Sequence, residues 1–216
     1  MRALLKIAAA VLVCAVAPSL RAADTVTALD RYLDGLTSWR ATFTESIVDA
    51  RNKKVGAGRG SLLLQRPGKF RWELAPDDAA DSGQLLVADG RNLWFLDRDL
   101  QQVTVKPMDA ALSQTPAMLL SGAGNIRDAF AVSEAGERDG LSWVRVVPRK
   151  AEADFRFAQL GFKGTDLKRM VLEDKLGQTA TLLFEGAVRN GPVDPAALTF
   201  ATPPGVDVIG TPVKTQ

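Results

Sequence analysis

Apolar and polar residues alternate with a period of two through most of this chain, and the exceptions sit in two places. Near the start, Val26, Leu29, Leu33 and Leu36 fall at spacings of three and four, which predicts an amphipathic helix over 25–37 with Asp24 as its N-cap. Between Pro107 and Phe130 the alternation stops again, and Met108 to Leu112, Thr115 to Leu120 and Asn125 to Phe130 read as short helical or loop-like pieces punctuated by Gly122 and Gly124. Elsewhere the pattern predicts strands: Trp39–Val48, Ser61–Gln65, Phe70–Leu74, Leu85–Ala88, Asn92–Leu96, Gln102–Lys106, Phe130–Ser133, Leu141–Val147, Phe155–Phe162, Leu167–Asp174 and Thr179–Val188. Turn residues separate them, among them Pro67-Gly68, Asp89-Gly90 and Asp139-Gly140.

These elements describe a mainly β single domain with short helices. About eleven short antiparallel strands in one meander will curl, because sheets twist and large open sheets curl, split or flatten. Helical pieces set against such a sheet belong on its concave face. The turn at Arg66-Pro67-Gly68 holds one arginine in line with Leu62 and Leu64. The strand after it points Phe70, Trp72 and Leu74 to one side and Lys69, Arg71 and Glu73 to the other. An apolar surface with a fixed cation at one end is expected there, in addition to the plain reading of a core strand pair with a rim arginine. The tail from Phe200 to Ile209 reads as a short extended finish.

The chain has 216 residues, 46% hydrophobic and 24% charged, enough for one sizeable core. The basic start Met1 to Lys6, the apolar run Ile7 to Ala17 and the small residue at Ala22 read as a secretory signal peptide over 1–22, leaving a domain over 23–216. Cys14 follows Val13 rather than a small residue, so it reads as part of the signal core and not as a lipid-attachment site. A soluble protein of the periplasm is expected. Without Arg2, Lys6 and Arg21 the 27 basic residues fall to 24 against 25 acidic, and no basic stripe with interleaved aromatics remains, so nucleic acid is not an expected partner.

The chain contains no histidine, and residues 23–216 contain no cysteine, which removes disulfides, the usual nucleophile–base pairs and the usual zinc ligands. The glycines 56, 58 and 60 lack the Gly-Lys-Ser/Thr of a phosphate loop and read as a place where the sheet bends. The acidic loop 75–81 lacks the spacing of a calcium loop and reads as solvated. Glu45, Asp49, Glu73, Asp89 and Asp97 are placed at strand ends, turns or outward phases, and nothing nominates a catalytic pair among them. A binding protein is expected rather than an enzyme, with no cofactor and no metal.

Several stretches together resemble a known family, the periplasmic lipoprotein carriers of the LolA type. They are Trp39-Arg40-Ala41-Thr42-Phe43-Thr44, Gly60-Ser61-Leu62, Arg66-Pro67-Gly68-Lys69-Phe70-Arg71-Trp72, Val87 to Phe95, Thr115-Pro116-Ala117-Met118-Leu119-Leu120, the Pro148-Arg149-Lys150 corner, and Phe200 with Pro203-Pro204-Gly205-Val206. The resemblance implies an unclosed antiparallel β-barrel with an α-helical lid. It implies a monomeric carrier that takes acylated lipoproteins from an inner-membrane lipoprotein-releasing ABC transporter to the outer-membrane receptor LolB. It also implies that Arg66 holds the lid through backbone hydrogen bonds in the closed form. On that basis the ligand-binding residues expected are Arg66, Phe70, Trp72, Trp39, Phe43, Leu93 and Phe95, and the lid residues expected are Met118, Leu119 and Leu120. The same fold leaves open a carrier of another lipid or glycolipid, or a domain that senses misplaced lipoproteins.

Overall fold

A computed structural model describes residues 26–79, 82–108, 116–122, 124–151 and 153–213, with the backbone alone described for 116–118. The segment read as a signal peptide, the proposed cap Asp24 and the Met118 side chain lie outside the described residues. Twelve strands form one sheet: β1 (Ser38–Val48), β2 (Lys54–Gln65), β3 (Lys69–Pro76), β4 (Gln84–Asp89), β5 (Asn92–Asp97), β6 (Gln102–Pro107), β7 (Phe130–Arg138), β8 (Leu141–Pro148), β9 (Phe155–Lys163), β10 (Asp166–Asp174), β11 (Thr179–Arg189) and β12 (Asp207–Ile209). Among the described residues three short α-helices accompany them: α1 (Ala28–Leu33), α2 (Pro116–Ser121) and α3 (Ile126–Ala129).

The strands do not run as one meander. Their order is β12-β6-β5-β4-β3-β2-β1-β11-β10-β9-β8-β7, so two meanders, β1 to β6 and β7 to β11, are joined where β1 pairs antiparallel with β11. The twelfth strand comes from the tail, which pairs parallel with β6 through Asp207, Val208 and Ile209. β7 and β12 are the two edges and do not pair with each other, which leaves the curled sheet unclosed.

The first helix is shorter than its apolar spacing suggests. Thr27 caps it: Thr27 accepts from the Asp30 N–H, and the Asp30 carboxylate accepts from the Thr27 N–H at 2.7 Å, a reciprocal capping box. The helix stops at Leu33 because Asp34 is extended and Gly35 takes a positive φ of 60°. Val26, counted as part of the apolar stripe, is therefore outside the helix and exposed, whereas Leu29, Tyr32 and Leu36 are buried.

Strand alternation sorts the two faces of the sheet. From β1 the inner face takes Trp39, Ala41 and Phe43, and register carries the same layer through Leu64 and Leu62 of β2, Phe70 and Trp72 of β3, and Ala88 and Leu86 of β4. This is the main core, and α1, Leu119 and Leu120 complete it. The outer face of β4 to β6 holds a second cluster of Leu85, Val87, Leu96 and Val103, covered by Phe200 and Val206 of the C-terminal segment. There Trp94 stacks on Phe200 at 5.0 Å and donates its indole N–H to Asp89 Oδ2 at 2.8 Å.

The glycines 56, 58 and 60 lie inside β2, which starts earlier than its leucines suggest. Gly60 has a specific task there. A Cβ at this position would come 2.5 Å from Phe43 Cζ and would overlap the Glu73 carbonyl, so the absent side chain lets the Phe43 ring lie across β2 and reach Trp72, 4.5 Å away centroid to centroid.

Candidate functional site

The concave side of the sheet is a hollow in two parts, one packed under helices and one open. α2 lies over β2 and β3, α1 over β8 and β9, and α3 against β7. Under this cover Trp39, Phe43 and Phe70 are buried, and Trp72 is half-buried against them. Trp39 meets Phe184 at 5.3 Å and Tyr32 at 6.3 Å in edge-on geometry, and Tyr32 meets Phe162 at 5.5 Å. These rings form one aromatic layer joining helix α1 to the wall.

Arg66 sits at the rim of this layer, on the tight turn between β2 and β3 that Gly68, with φ of 75°, completes. Its backbone N–H donates to the Thr37 carbonyl at 2.8 Å, and its Nη1 donates to the carbonyls of Leu33 at 2.8 Å and Leu36 at 3.4 Å. The guanidinium also lies flat against Gly122, where a Cβ would overlap it, and the Gly68 N–H donates to the Ser121 carbonyl at 2.8 Å. One turn thus ties the end of α1 by side chain and the end of α2 by backbone.

A second cation completes the arrangement. Arg189, at the end of β11, donates Nη1 to the Tyr32 carbonyl at 2.5 Å and Nη2 to the Asp34 carbonyl, and Asn190 Nδ2 donates to the Gly35 carbonyl at 2.9 Å. The carbonyls from Tyr32 to Leu36 are thereby each taken by Arg66, Arg189 or Asn190. A helix end leaves carbonyls without internal partners and carries partial negative charge, so two guanidiniums from opposite sides are a strong hold on it. Sequence reasoning found Arg66 and missed Arg189 and Asn190, which read as the plain end of a strand. At the other end of α1, Arg127 of α3 pairs with Asp30 at 2.7 Å. Burial pushes the Asp30 carboxyl up, but hydrogen bonds from Thr27 and the Arg127 guanidinium outweigh it and hold the group below the usual carboxylate range. The Tyr32 hydroxyl is buried with no hydrogen-bond partner among the described residues, and burial pushes that phenol up.

Among the described residues two cavities lie in the open part of the hollow. One, of about 350 Å³, is lined by Leu86, Leu93, Phe95, Thr104, Lys106, Gln84 and Asp154. The other, of about 260 Å³, is lined by Ile47, Phe155, Leu172, Ala180, Asp154, Asp174 and Gln178. Leu93 and Phe95 therefore face inward and Trp94 and Leu96 outward, a phase that the all-apolar strand does not reveal by itself. Trp39, Phe43 and Phe70 lie in the packed part instead, and of the residues expected to form a lid Leu119 and Leu120 are buried in the same core. Among the described residues no group of three or more His, Cys, Asp or Glu side chains is placed to hold a metal ion.

One acidic residue is placed differently from its expected position. Glu45 is not on an outward phase: it continues the series Trp39, Ala41, Phe43 on the inner face, between Phe43 and Ile47 and opposite Gly58 and Leu182. Burial alone pushes its carboxyl up.

Comparison with known proteins agrees with this architecture. Residues 34–201 match the family model described as outer membrane lipoprotein carrier protein LolA. The outer-membrane lipoprotein carrier protein of Dechloromonas aromatica is 35% identical over 196 residues, covering 91% of this chain and 92% of that protein. The protein of the same description from Methylobacillus flagellatus is 36% identical over 188 residues, covering 87% and 90%. An uncharacterised conserved protein of Thermus thermophilus, solved by crystallography, shares the fold at a TM-score of 0.50 and 16% identity, covering 84% of this chain and 96% of that one. With a family model matched across most of its length and relatives above one-third identity over nearly all of it, this chain belongs to the LolA family of outer membrane lipoprotein carrier proteins.

Proposed function

We propose that this protein carries acylated lipoproteins across the periplasm, taking them from an inner-membrane lipoprotein-releasing ABC transporter and delivering them to an outer-membrane receptor of the LolB type. The observation that carries this reading is the guanidinium-held helix cover over an apolar concave wall. Acyl chains need an apolar hollow of this kind, and they need it to open. Of these cavities one lies at the lower end of the range, roughly 300–1,000 Å³, that accommodates ligands of drug size, and the other falls just below it. Room for long acyl chains comes from lifting α1 and α2 off the aromatic layer, which frees Trp39, Phe43, Phe70 and Trp72 to contact them.

Energetics favour such a two-state cover. Burying about 0.8 kcal/mol per methylene over three chains of roughly fourteen methylenes would yield on the order of 34 kcal/mol. That exceeds the practical limit of roughly 18–21 kcal/mol for non-covalent affinity, and a carrier that realised it would never release its load. Closure offsets part of it: when the chains leave, the helices return to the apolar wall and the carbonyls of Tyr32 to Leu36 regain their donors. Arg66 suits this role because a guanidinium presents several donors in a rigid fork and stays charged. The carrier has no need of catalysis.

Native mass spectrometry of the protein purified from periplasm tests this reading. A stoichiometric acylated protein bound to part of the population is the expected result. Recovery with only unacylated partners, or steady chemical conversion of an added acyl substrate, would contradict it.

A further inference from the structure

Tyr32 carries into the aromatic layer a hydroxyl that neither the packing nor the latch uses. The residue is 1% exposed, with its ring against Trp39 and Phe162 and the Arg189 guanidinium 5.5 Å from the ring centroid. The latch takes only its backbone carbonyl, through Arg189. The hydroxyl has no hydrogen-bond partner among the described residues. A phenylalanine would fill the same space without that atom, and a buried donor left unpaired costs more than the bond it could make contributes. Burial pushes the phenol up, so the group keeps its proton and remains a donor.

The place of this hydroxyl fits the head of an acyl chain. Tyr32 hangs from α1, so when that helix lifts the hydroxyl faces the space opening between helix and wall. The inner wall of β1 runs from Trp39, which Tyr32 meets, to Ile47, which lines the 260 Å³ cavity, a stretch of about 26 Å. A tail seated in that cavity and running along the wall leaves its carbonyl end at α1, where the peptide attached to the head passes out under the lifted cover. We infer that Tyr32 is a ligand-binding residue whose hydroxyl donates to an ester carbonyl of the glyceryl-linked acyl chains once α1 lifts. An ester suits it better than an amide: an ester carbonyl accepts and brings no donor, whereas an amide carries its own N–H into the apolar layer and needs a further partner. Loading satisfies the hydroxyl and release leaves it unpaired again, so the same atom also sets the closed cover slightly against itself.

This inference rests on the carrier reading, and one experiment separates the two. The probes are a peptide headed by an N-palmitoylated cysteine whose glyceryl group carries two ester-linked palmitoyl chains, and the same peptide with those two chains joined as hexadecyl ethers. Each is titrated by calorimetry into the wild-type protein and into Tyr32→Phe. The substitution is expected to weaken binding of the ester probe about three- to tenfold more than binding of the ether probe, the weight of one neutral hydrogen bond. In the empty variant the amides of 28–37 should exchange no faster than in wild type, because the closed state loses no hydrogen bond. An equal effect of Tyr32→Phe on the two probes overturns the inference while leaving the carrier reading intact. So does faster exchange of those amides in the empty variant, because the hydroxyl then already has a partner under the closed cover. Failure of both probes to bind the wild type removes the carrier reading and the inference with it.

Discussion

Replacing Arg66 by leucine should unlatch the cover without unfolding the sheet. The side chain makes one good charged-donor hydrogen bond, to Leu33 at 2.8 Å, and one long one, to Leu36 at 3.4 Å. A hydrogen bond from a charged donor contributes about 1.5–3 kcal/mol net. The long contact adds little, and the Leu33 carbonyl keeps a backbone partner in the Leu36 N–H at 3.2 Å. The closed state should therefore lose about 2 kcal/mol relative to the open one, which moves the closed-to-open ratio about thirtyfold. Hydrogen exchange read by mass spectrometry localises the effect: amides of 28–37 should exchange faster by about that factor, while those of β9 and β10 keep their protection. The same shift favours the loaded, open form, so the variant should retain an acylated ligand and pass it poorly to an acceptor. Normal transfer by Arg66→Leu, or an equal loss of protection across the whole sheet, would refute the latch.

Other predictions follow from the same geometry. Arg189→Ala should loosen α1 in the same way, and combined with Arg66→Leu it should cost less than the sum of the two, because both arginines hold one helix end; strict additivity in exchange rates would contradict a shared latch. Gly60→Ala should lower stability by about 1–3 kcal/mol through overpacking against Phe43 and the Glu73 carbonyl, and an unchanged denaturation midpoint would show that the Phe43 ring does not need that space. Asp30 has its folded carboxyl below the ordinary value, so the stability it adds is complete above about pH 4 and is lost as pH falls through the lower folded value. The melting-temperature gap between wild type and Asp30→Asn should accordingly narrow toward acid, and a constant gap would contradict the assignment.

Much of this fold was legible because strand side chains have a period of two. The series Trp39, Ala41, Phe43 and the series Phe70, Trp72, Leu74 announce their inner faces directly, and Asp89-Gly90 marks its hairpin, where the Asp89 carboxylate accepts from the N–H groups of Arg91 and Asn92. What stayed hidden was long-range. No local pattern says that β1 pairs with β11 and so splits the chain into two meanders, or that Asp207 to Ile209 adds a parallel strand to β6. The phase of Asn92 to Asp97 was unreadable because both faces are covered, one by the hollow and one by Phe200 and Val206. Glu45 was placed by its charge rather than by its position in the series, and the series was the better guide: an open hollow can solvate a carboxylate that a solid core could not. Arg189 gave no sign of its task, since its acceptors are carbonyls more than 150 positions away.

The central claim, that helices shut over an apolar hollow lift to admit acyl chains, is tested most directly by a distance. Residues 23–216 contain no cysteine, so Arg31→Cys, on the exposed side of α1, and Lys163→Cys at the end of β9 give a unique spin-labelled pair. Pulsed electron spin resonance should show one short distance in the empty protein and a second, longer population that grows in proportion to bound dipalmitoyl lipopeptide. Stoichiometric binding with the short distance unchanged would contradict the account.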